Sequence, residues 1–121
     1  MEIVFYREKD GSFPVQDFLD GLENQGAARI MRYLTHLADS GGRATGSAYK
    51  KLHGYPLEEI RVKQSRTLHR VIIHVKLKDK ILVLHGFTKV EGQETPKKEL
   101  EQALARYKAM TATHGESKRH E

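Results

Sequence analysis

Basic residues at strand-like spacing are the groups in this sequence best suited to chemistry. Arg61 and Lys63 lie two positions apart in an alternating segment, and Arg70 lies in the next alternating segment. If the β-branched residues of both segments face the core, these three side chains share the opposite face of the sheet. Positive charge there can stabilise the negative charge that develops on phosphorus and on the leaving oxygen during phosphodiester cleavage. An RNA 2′-hydroxyl can be the nucleophile, so such a site needs only positioning and charge.

Further basic residues frame this predicted face. Lys50 and Lys51 enter from the preceding strand, Lys89 follows the last strand, and His53 lies in a loop where it could contact phosphate. We expect the three lysines numbered 50, 51 and 63 to bind a nucleic-acid backbone, because phosphate contacts by lysine carry most of that affinity. The pattern predicts a cluster of guanidinium and ammonium groups on a single face of the sheet.

The distribution of charge agrees with a polyanionic partner. The chain has 121 residues and a net charge of +5, and residues 43–80 carry ten basic residues against three acidic ones. A localised basic field attracts nucleic acid. The alternative is a solvated basic face whose two arginines pair on the surface with Glu58, Glu59 or Asp79.

Other kinds of site have weaker support. The chain has no Cys, no phosphate-binding glycine loop, no GxSxG motif and no HExxH motif, so we expect neither a cofactor nor a metal. His69 and His74 are five positions apart on one strand and therefore point to opposite faces. His85 lies in an apolar strand, where it is either a core residue or, on an open face, a general acid or base.

The length predicts one domain, and the absence of Cys fits a reducing compartment. No apolar run is long enough to cross a membrane, and the first eleven residues lack the layout of a signal peptide. We therefore expect a cytoplasmic protein with no membrane contact. The domain is predicted to cover residues 1–113, and residues 114–121, which have no apolar anchor, are predicted to be a disordered tail.

Hydrophobic periodicity supplies the elements that must position these residues. Helical stripes follow Pro14 and span about residues 25–40, and a last helix opens at Thr95 and Pro96 with Thr95 as its cap. Strand patterns cover residues 2–7, 49–52, 57–64, 68–77 and 81–87. The order β-α-α-β-β-β-β-α predicts an α+β fold, with a twisted antiparallel sheet packed by an N-terminal helical hairpin and a C-terminal helix.

Several motifs, taken in order, resemble one known family. They are Pro14-Val15-x-x-Phe18-Leu19, Tyr49-Lys50-Lys51-Leu52-x-Gly54-x-Pro56-Leu57-x-Glu59-x-Arg61, the Arg70-Val71 strand, and Leu84-His85-Gly86-Phe87-x-Lys89 followed by Thr95-Pro96. From residue 2 to about residue 110 the chain resembles the phage-derived HigB-like toxins of the RelE superfamily. Val90 and His69 differ from many relatives, which have a second basic residue and an aromatic residue at these places.

The resemblance implies a RelE-like fold and an mRNA-cleaving toxin of a type II toxin–antitoxin pair. It implies cleavage that often depends on the ribosome, and a helix-turn-helix DNA-binding antitoxin as partner. By position, Arg61 and Arg70 resemble the strand arginines that hold the scissile phosphate, and Lys89 resembles the strand-end lysine near them. The general base is not implied.

Two other functions stay open at this point. The basic cluster serves equally for a non-catalytic nucleic-acid-binding or regulatory module, such as a decayed toxin. A chain that chiefly binds a neighbouring helix-turn-helix protein is the third possibility, with an acidic segment of that protein complementing the basic face.

Overall fold

The predicted order of helices and strands is confirmed. The computed structural model describes residues 1–23, 25–77, 79–90 and 94–119. Within them the elements are β1 (Glu2–Phe5), α1 (Pro14–Asp20), α2 (Gly26–Asp39), β2 (Tyr49–Leu52), β3 (Leu57–Gln64), β4 (Thr67–Leu77), β5 (Lys80–Val90) and α3 (Lys97–Arg119). The chain is an α+β protein with one five-stranded sheet.

The sheet has the strand order β1-β5-β4-β3-β2. Strands β2 to β5 form the predicted antiparallel meander, because each follows its neighbour through a short turn. The first strand departs from the expectation of a purely antiparallel sheet, since β1 lies parallel to β5 at the edge. A parallel pair needs a long connection, and here α1, α2 and three strands lie between the two partners.

The helical hairpin covers one face of the sheet. The side chains that meet there come from α1, α2 and alternate residues of β3, β4 and β5, and they are fully buried in most cases, for example Leu34, Ile60 and Val71. This confirms that the alternating β-branched residues Ile60 and Val62 of β3 and Val71, Ile73 and Val75 of β4 face the hairpin. Their neighbours in sequence, including Arg61 and Arg70, consequently lie on the other face.

Helix α3 covers only part of that other face. Ala103, Leu100 and Tyr107 pack against Ile72 and Leu84 at the centre of the sheet. The end of the sheet that holds Arg61 is not among these apolar contacts. The site therefore lies beside the beginning of α3.

Gly86 connects two of the sequence motifs. A Cβ atom added to Gly86 would overlap the ring of Phe18, with Cε2 and Cγ of that ring both 2.9 Å away. The ring of Phe18 in α1 lies against the backbone of β5 only because residue 86 has no side chain. One close packing contact thus accounts for the glycine of the Leu84-His85-Gly86-Phe87 segment and for the phenylalanine of the α1 motif.

Some boundaries differ from the sequence-based expectation. Strand β5 continues to Val90, so it contains Lys89, and α3 covers residues 114–119, which lie beyond the predicted domain end at residue 113. His120 and Glu121 lie outside the described residues. None of the helices in the described ranges is long and apolar enough to cross a membrane.

Candidate functional site

Three rows of side chains cross the α3 face of the sheet. We call Arg61, Arg70 and Phe87 the arginine row, because these residues lie opposite one another on β3, β4 and β5. The lysine row beside it consists of Lys63, Leu68 and Lys89. The glutamate row on its other side consists of Lys50, Glu59, Ile72 and His85. The register thus brings five predicted site residues to one face, namely Lys50, Arg61, Lys63, Arg70 and Lys89.

The two arginines occupy directly opposite positions on adjacent strands. Side chains in such a pair have Cβ atoms about 5 Å apart, and like charges placed there destabilise a sheet. The Arg70 guanidinium lies 5.9 Å from the centroid of the Phe87 ring, which gives it an attractive cation–π contact. A nearby negative charge is needed to offset the remaining repulsion.

Glu59 supplies that charge. Its Oε2 accepts a hydrogen bond of 2.8 Å from the Thr95 hydroxyl, which in turn accepts one of 3.3 Å from the Arg70 guanidinium. Its Oε1 lies 3.6 Å from Nε of Arg61. One carboxylate therefore connects both arginines, directly to Arg61 and through Thr95 to Arg70. Thr95 was predicted as a helix cap, but α3 begins at Lys97 and the Thr95 hydroxyl is used in this network instead.

Burial separates the roles of the two arginines. Arg70 and Glu59 are each only 1% exposed, whereas the Arg61 side chain is 29% exposed. The expected alternative of surface ion pairs is thus met only in part, because the Arg61–Glu59 pair has a buried carboxylate. Glu58 lies on the opposite face, across from Ile73, and Asp79 lies in the β4–β5 turn beside Glu2.

A recess of about 250 Å³ adjoins Arg61 at the edge of the sheet. Strand β2 pairs with β3 as far as Ile60, and the Arg61 N–H donates a 2.7 Å hydrogen bond to the carbonyl of Ala48, so the part of β3 beyond Arg61 is not covered by β2. Arg29 of α2 reaches this edge, where its guanidinium donates a 2.8 Å hydrogen bond to the Lys63 carbonyl. The recess is lined by Arg29, Tyr33, Ser47, Ala48, Arg61, Lys63 and Leu68. Three cations therefore meet in one small concavity.

Arg29 is a site residue that the sequence analysis missed. It lies on the polar side of the α2 stripe, where a charged residue is normally just solvated. Its position became informative only once the first turn of α2 was seen to lie beside β3. Residues 1–42, which contain Arg29, have a net negative charge, so the charge distribution did not indicate a basic site residue in this segment.

Lys51 and His53 lie apart from the three rows. Lys51 is opposite Glu58, so it points to the hairpin face, and the expectation that both Lys50 and Lys51 share the arginine face is wrong for Lys51. Consecutive strand residues alternate between faces, which is the physical reason. Both residues, with His53 and Thr95, line a second recess of about 180 Å³ at the β2 edge.

His85 is held by hydrogen bonds on both ring nitrogens. Its Nε2 lies 2.9 Å from Oε1 of Glu99, and its Nδ1 lies 3.0 Å from the Arg106 guanidinium. Arginine can only donate, so Nδ1 accepts and Nε2–H donates to Glu99. Burial lowers the pKa of His85, and the opposing effect of its hydrogen bond to Glu99 does not reverse this. The interpretation as a satisfied structural histidine fits this geometry.

A β-bulge explains how His85 reaches α3. Ile72 is opposite His85 while Ile73 is opposite Val83, so Leu84 is an extra residue in β5. A bulge of this kind places two consecutive side chains on the same side of a strand. Leu84 is buried under α3, and His85 follows it on that face. No alternating pattern in the sequence could have predicted this.

His69 belongs to the hairpin face and not to the site. It is 6% exposed, and its ring nitrogens lie 2.8 Å from the Thr88 hydroxyl and 2.6 Å from Oε1 of Gln64. Burial, with a smaller effect from the charge of Arg29, lowers its pKa. Within the described part of the chain no group of three His, Asp or Glu residues is placed to hold a metal ion.

A larger groove, of about 460 Å³, lies at the β1 edge, and strands β5 and β4 separate this edge from the strand of Arg61. Apolar side chains such as Phe5, Phe13 and Met110 line it, together with Arg7 and Lys9. It contains none of the residues of the three rows. We place the candidate site at the arginine row, because the groups able to act on a phosphate converge there.

Comparison with known proteins places these features in a family. A family model described as Phage derived protein Gp49-like (DUF891) matches residues 17–108. The matched range contains all three rows and every residue that lines the two recesses. It covers more than half of the chain. None of the curated proteins that were compared with the chain matches it.

Proposed function

The chain belongs to the Gp49-like family of phage-derived proteins, a RelE-like and toxin-like family, and on that premise we propose that it is an mRNA-cleaving toxin. In this proposal it is the toxin of a type II toxin–antitoxin pair and an endoribonuclease. The RNA 2′-hydroxyl attacks the adjacent phosphate without a metal ion, and cleavage takes place on the ribosome.

The observation that carries the proposal is the cross-strand pair of Arg61 and Arg70 on a face that α3 leaves partly uncovered. Two guanidinium groups side by side match the oxygens of one phosphate, which they can bind through paired hydrogen bonds. They stabilise the charge on the pentacoordinate phosphorus better than the charge of the ground state, and that difference accelerates the reaction.

The surrounding basic residues have supporting roles in the proposal. Lys89, two positions after Phe87 on β5, neutralises charge or protonates the leaving oxygen. Lys63 and Lys50 hold the RNA backbone on the same face, and Lys51 and His53 hold it at the β2 edge. Arg29 joins them through the recess beside Arg61. Strong salt dependence of RNA binding follows from so many phosphate contacts.

The proposal of an mRNA-cleaving toxin includes two partners. The substrate is mRNA held by the ribosome, and the inhibitor is a helix-turn-helix antitoxin made in the cytoplasm with the toxin. An acidic antitoxin segment would complement the lysine row and the arginine row and would block access to both. No cofactor takes part in the proposed reaction.

A second function is favoured by one specific observation. Arg70 is 1% exposed and is hydrogen-bonded to Thr95, so the Thr95 segment must move before a phosphate can reach that arginine. A non-catalytic nucleic-acid-binding or regulatory module would use the exposed lysines and keep Arg70 as a structural residue. Such a decayed toxin binds RNA without cutting it.

Induced expression of the chain alone separates the two functions. The test compares cells making the wild type, Arg61→Ala and, as a control, Arg66→Ala, which removes an exposed arginine in the β3–β4 turn. We expect growth arrest with the wild type and the control but not with Arg61→Ala, because Arg61 is accessible and Arg66 lies outside the rows. Arrest by a correctly folded Arg61→Ala variant would refute the assignment of the site.

Cleavage of RNA by the purified chain, with and without ribosomes, completes the test. Products ending in a 2′,3′-cyclic phosphate, formed in the presence of a metal chelator, are expected from 2′-hydroxyl attack. Tight RNA binding with no products under either condition would favour the non-catalytic module.

A further inference from the structure

We infer that Glu59 is the general base of the proposed reaction, which means that this inference rests on the proposed function. In the step, Oε1 of Glu59 takes the proton of the 2′-hydroxyl as its oxygen bonds to phosphorus. The bond from phosphorus to the 5′-oxygen breaks, and Lys89 gives that oxygen a proton. The products are a 2′,3′-cyclic phosphate and a 5′-hydroxyl, and water returns the proton from Glu59 to Lys89.

The position of the carboxylate is the first argument. Glu59 and Arg61 point to the same face of β3, and the two groups meet with Oε1 3.6 Å from Nε. When the arginine row binds the scissile phosphate, the 2′-hydroxyl of the adjacent ribose lies next to that row. A general base must lie within hydrogen-bonding distance of the proton that it removes, and Glu59 is the adjacent residue in the glutamate row.

The state of the two carboxylate oxygens is the second argument. Oε2 accepts the hydrogen bond of the Thr95 hydroxyl, and this bond fixes the orientation of the Glu59 carboxylate. Oε1 is buried and has no hydrogen-bond partner among the described residues. Most buried carboxylate oxygens are hydrogen-bonded, so an unpaired one needs an explanation, and an acceptor kept for a substrate proton is one. Oε2 of Glu58 likewise has no hydrogen-bond partner within the described part of the chain, but it lies on the hairpin face, away from the arginine row.

The other acid–base groups near the site are occupied or face elsewhere. Both ring nitrogens of His85 are hydrogen-bonded, and Glu99 is its partner. Glu58 and His69 lie on the hairpin face. Among the described residues, Glu59 is therefore the carboxylate that combines contact with an arginine of the row and an oxygen without a hydrogen-bond partner. Because Glu59 is as buried as Arg70, the substrate reaches both only when the Thr95 segment moves.

Cations from three strands face Glu59. They are Lys50 from β2, Arg61 from its own strand, and Arg70 from β4 through Thr95, and Glu94 lies with Lys50 in the recess at the β2 edge. When the phosphate binds the two guanidinium groups, Glu59 no longer has Arg61 as its ion-pair partner.

The test uses the full chain under conditions in which the wild type cleaves RNA, with ribosomes where they are required. Glu59→Gln keeps the size of the side chain and an oxygen for Thr95 but cannot accept the proton. We expect its single-turnover rate to fall about 10²- to 10⁴-fold, the usual contribution of a general base. We also expect the rise of the rate with pH on the acidic side to disappear.

Two further measurements separate a base from a positioning residue or an acid. Affinity for RNA with a 2′-deoxy sugar at the cleavage position should be nearly unchanged in Glu59→Gln. Replacing the leaving 5′-oxygen by sulfur removes the need for a proton there, so it should rescue loss of an acid but not loss of Glu59. Glu58→Gln, on the other face of β3, is the matched control and should cleave as the wild type does.

Each outcome supports or overturns the inference. A Glu59→Gln variant that keeps the acidic rise, or that recovers its rate with the sulfur-containing RNA, overturns it while leaving the proposed function intact. A wild type that never cleaves RNA overturns the proposed function, and this inference falls with it. If Glu59→Gln does not fold, Glu59→Asp replaces it, and a reduced rate that retains the acidic rise is the result expected.

Discussion

Gly86→Ala should destabilise the fold through a single steric conflict. The new methyl group would overlap the Phe18 ring, of which Cε2 and Cγ would lie 2.9 Å from it. Cδ2 of the ring would lie closer still. Ordinary contact between carbon atoms needs about 3.5–4.0 Å, so ring or strand must move by roughly 1 Å or more. Overpacking of this kind costs about 1–3 kcal/mol. In a domain of this size that lowers the unfolding midpoint by about 4–12 °C, taking about 4 °C for each kcal/mol.

The assay is equilibrium unfolding in urea, with Gly21→Ala as the matched control. Gly21 has a φ of −84° and its added Cβ would meet its nearest atom at 3.6 Å, so an ordinary contact results. The double variant Gly86→Ala/Phe18→Leu removes the ring that causes the conflict. We expect it to be less destabilised than the sum of the two single variants, with a coupling of about 0.5–3 kcal/mol. Strict additivity, or equal losses for Gly86→Ala and Gly21→Ala, would refute the reasoning.

Two further predictions concern pH and salt. Burial lowers the pKa of both His69 and His85 from 6.5, so below that value the unfolded chain binds more protons than the folded one. The free energy of unfolding should therefore fall as pH drops below about 6.5. Urea titrations at several pH values should show that this free energy depends less on pH in the double variant His69→Gln/His85→Gln than in the wild type. An equal pH dependence in the two proteins would contradict the prediction. Lys63→Ala should weaken RNA binding and reduce the slope of log affinity against log salt by about 0.7. Fluorescence anisotropy at several salt concentrations measures that slope, and a slope equal to that of the wild type would remove Lys63 from the interface.

The strand patterns were the most informative part of the sequence. Alternation in β3 and β4 predicted that Arg61 and Arg70 share a face, and the register places them directly opposite each other. Alternation is a local property of an extended chain, so it survives in the sequence without any knowledge of tertiary contacts. The same rule places the consecutive residues Lys50 and Lys51 on opposite faces, so it excludes Lys51 from the arginine face. The sequence-based expectation had both lysines on one face.

Features that depend on distant segments were not predictable in this way. The parallel contact of β1 with β5 joins the first and the last strand of the chain, and nothing in the first strand specifies its partner. Arg29 reaches the site because α2 crosses the edge of β3 beside Lys63. Glu59 could be named as a possible surface partner of the arginines, but its burial and its bond to Thr95 required the placement of the segment before α3.

By itself, the sequence determined the helices, the strands, the faces on which most charged residues lie and the basic character of the central segment. These follow from periods of two and 3.6 residues and from counts of charge, which are local quantities. The tertiary structure decided which carboxylate stands between the arginines, which histidine is locked against α3 and where the cationic recess opens. Those depend on contacts between residues far apart in the chain, such as Glu59 with Thr95 and His85 with Arg106, and on one extra residue in β5.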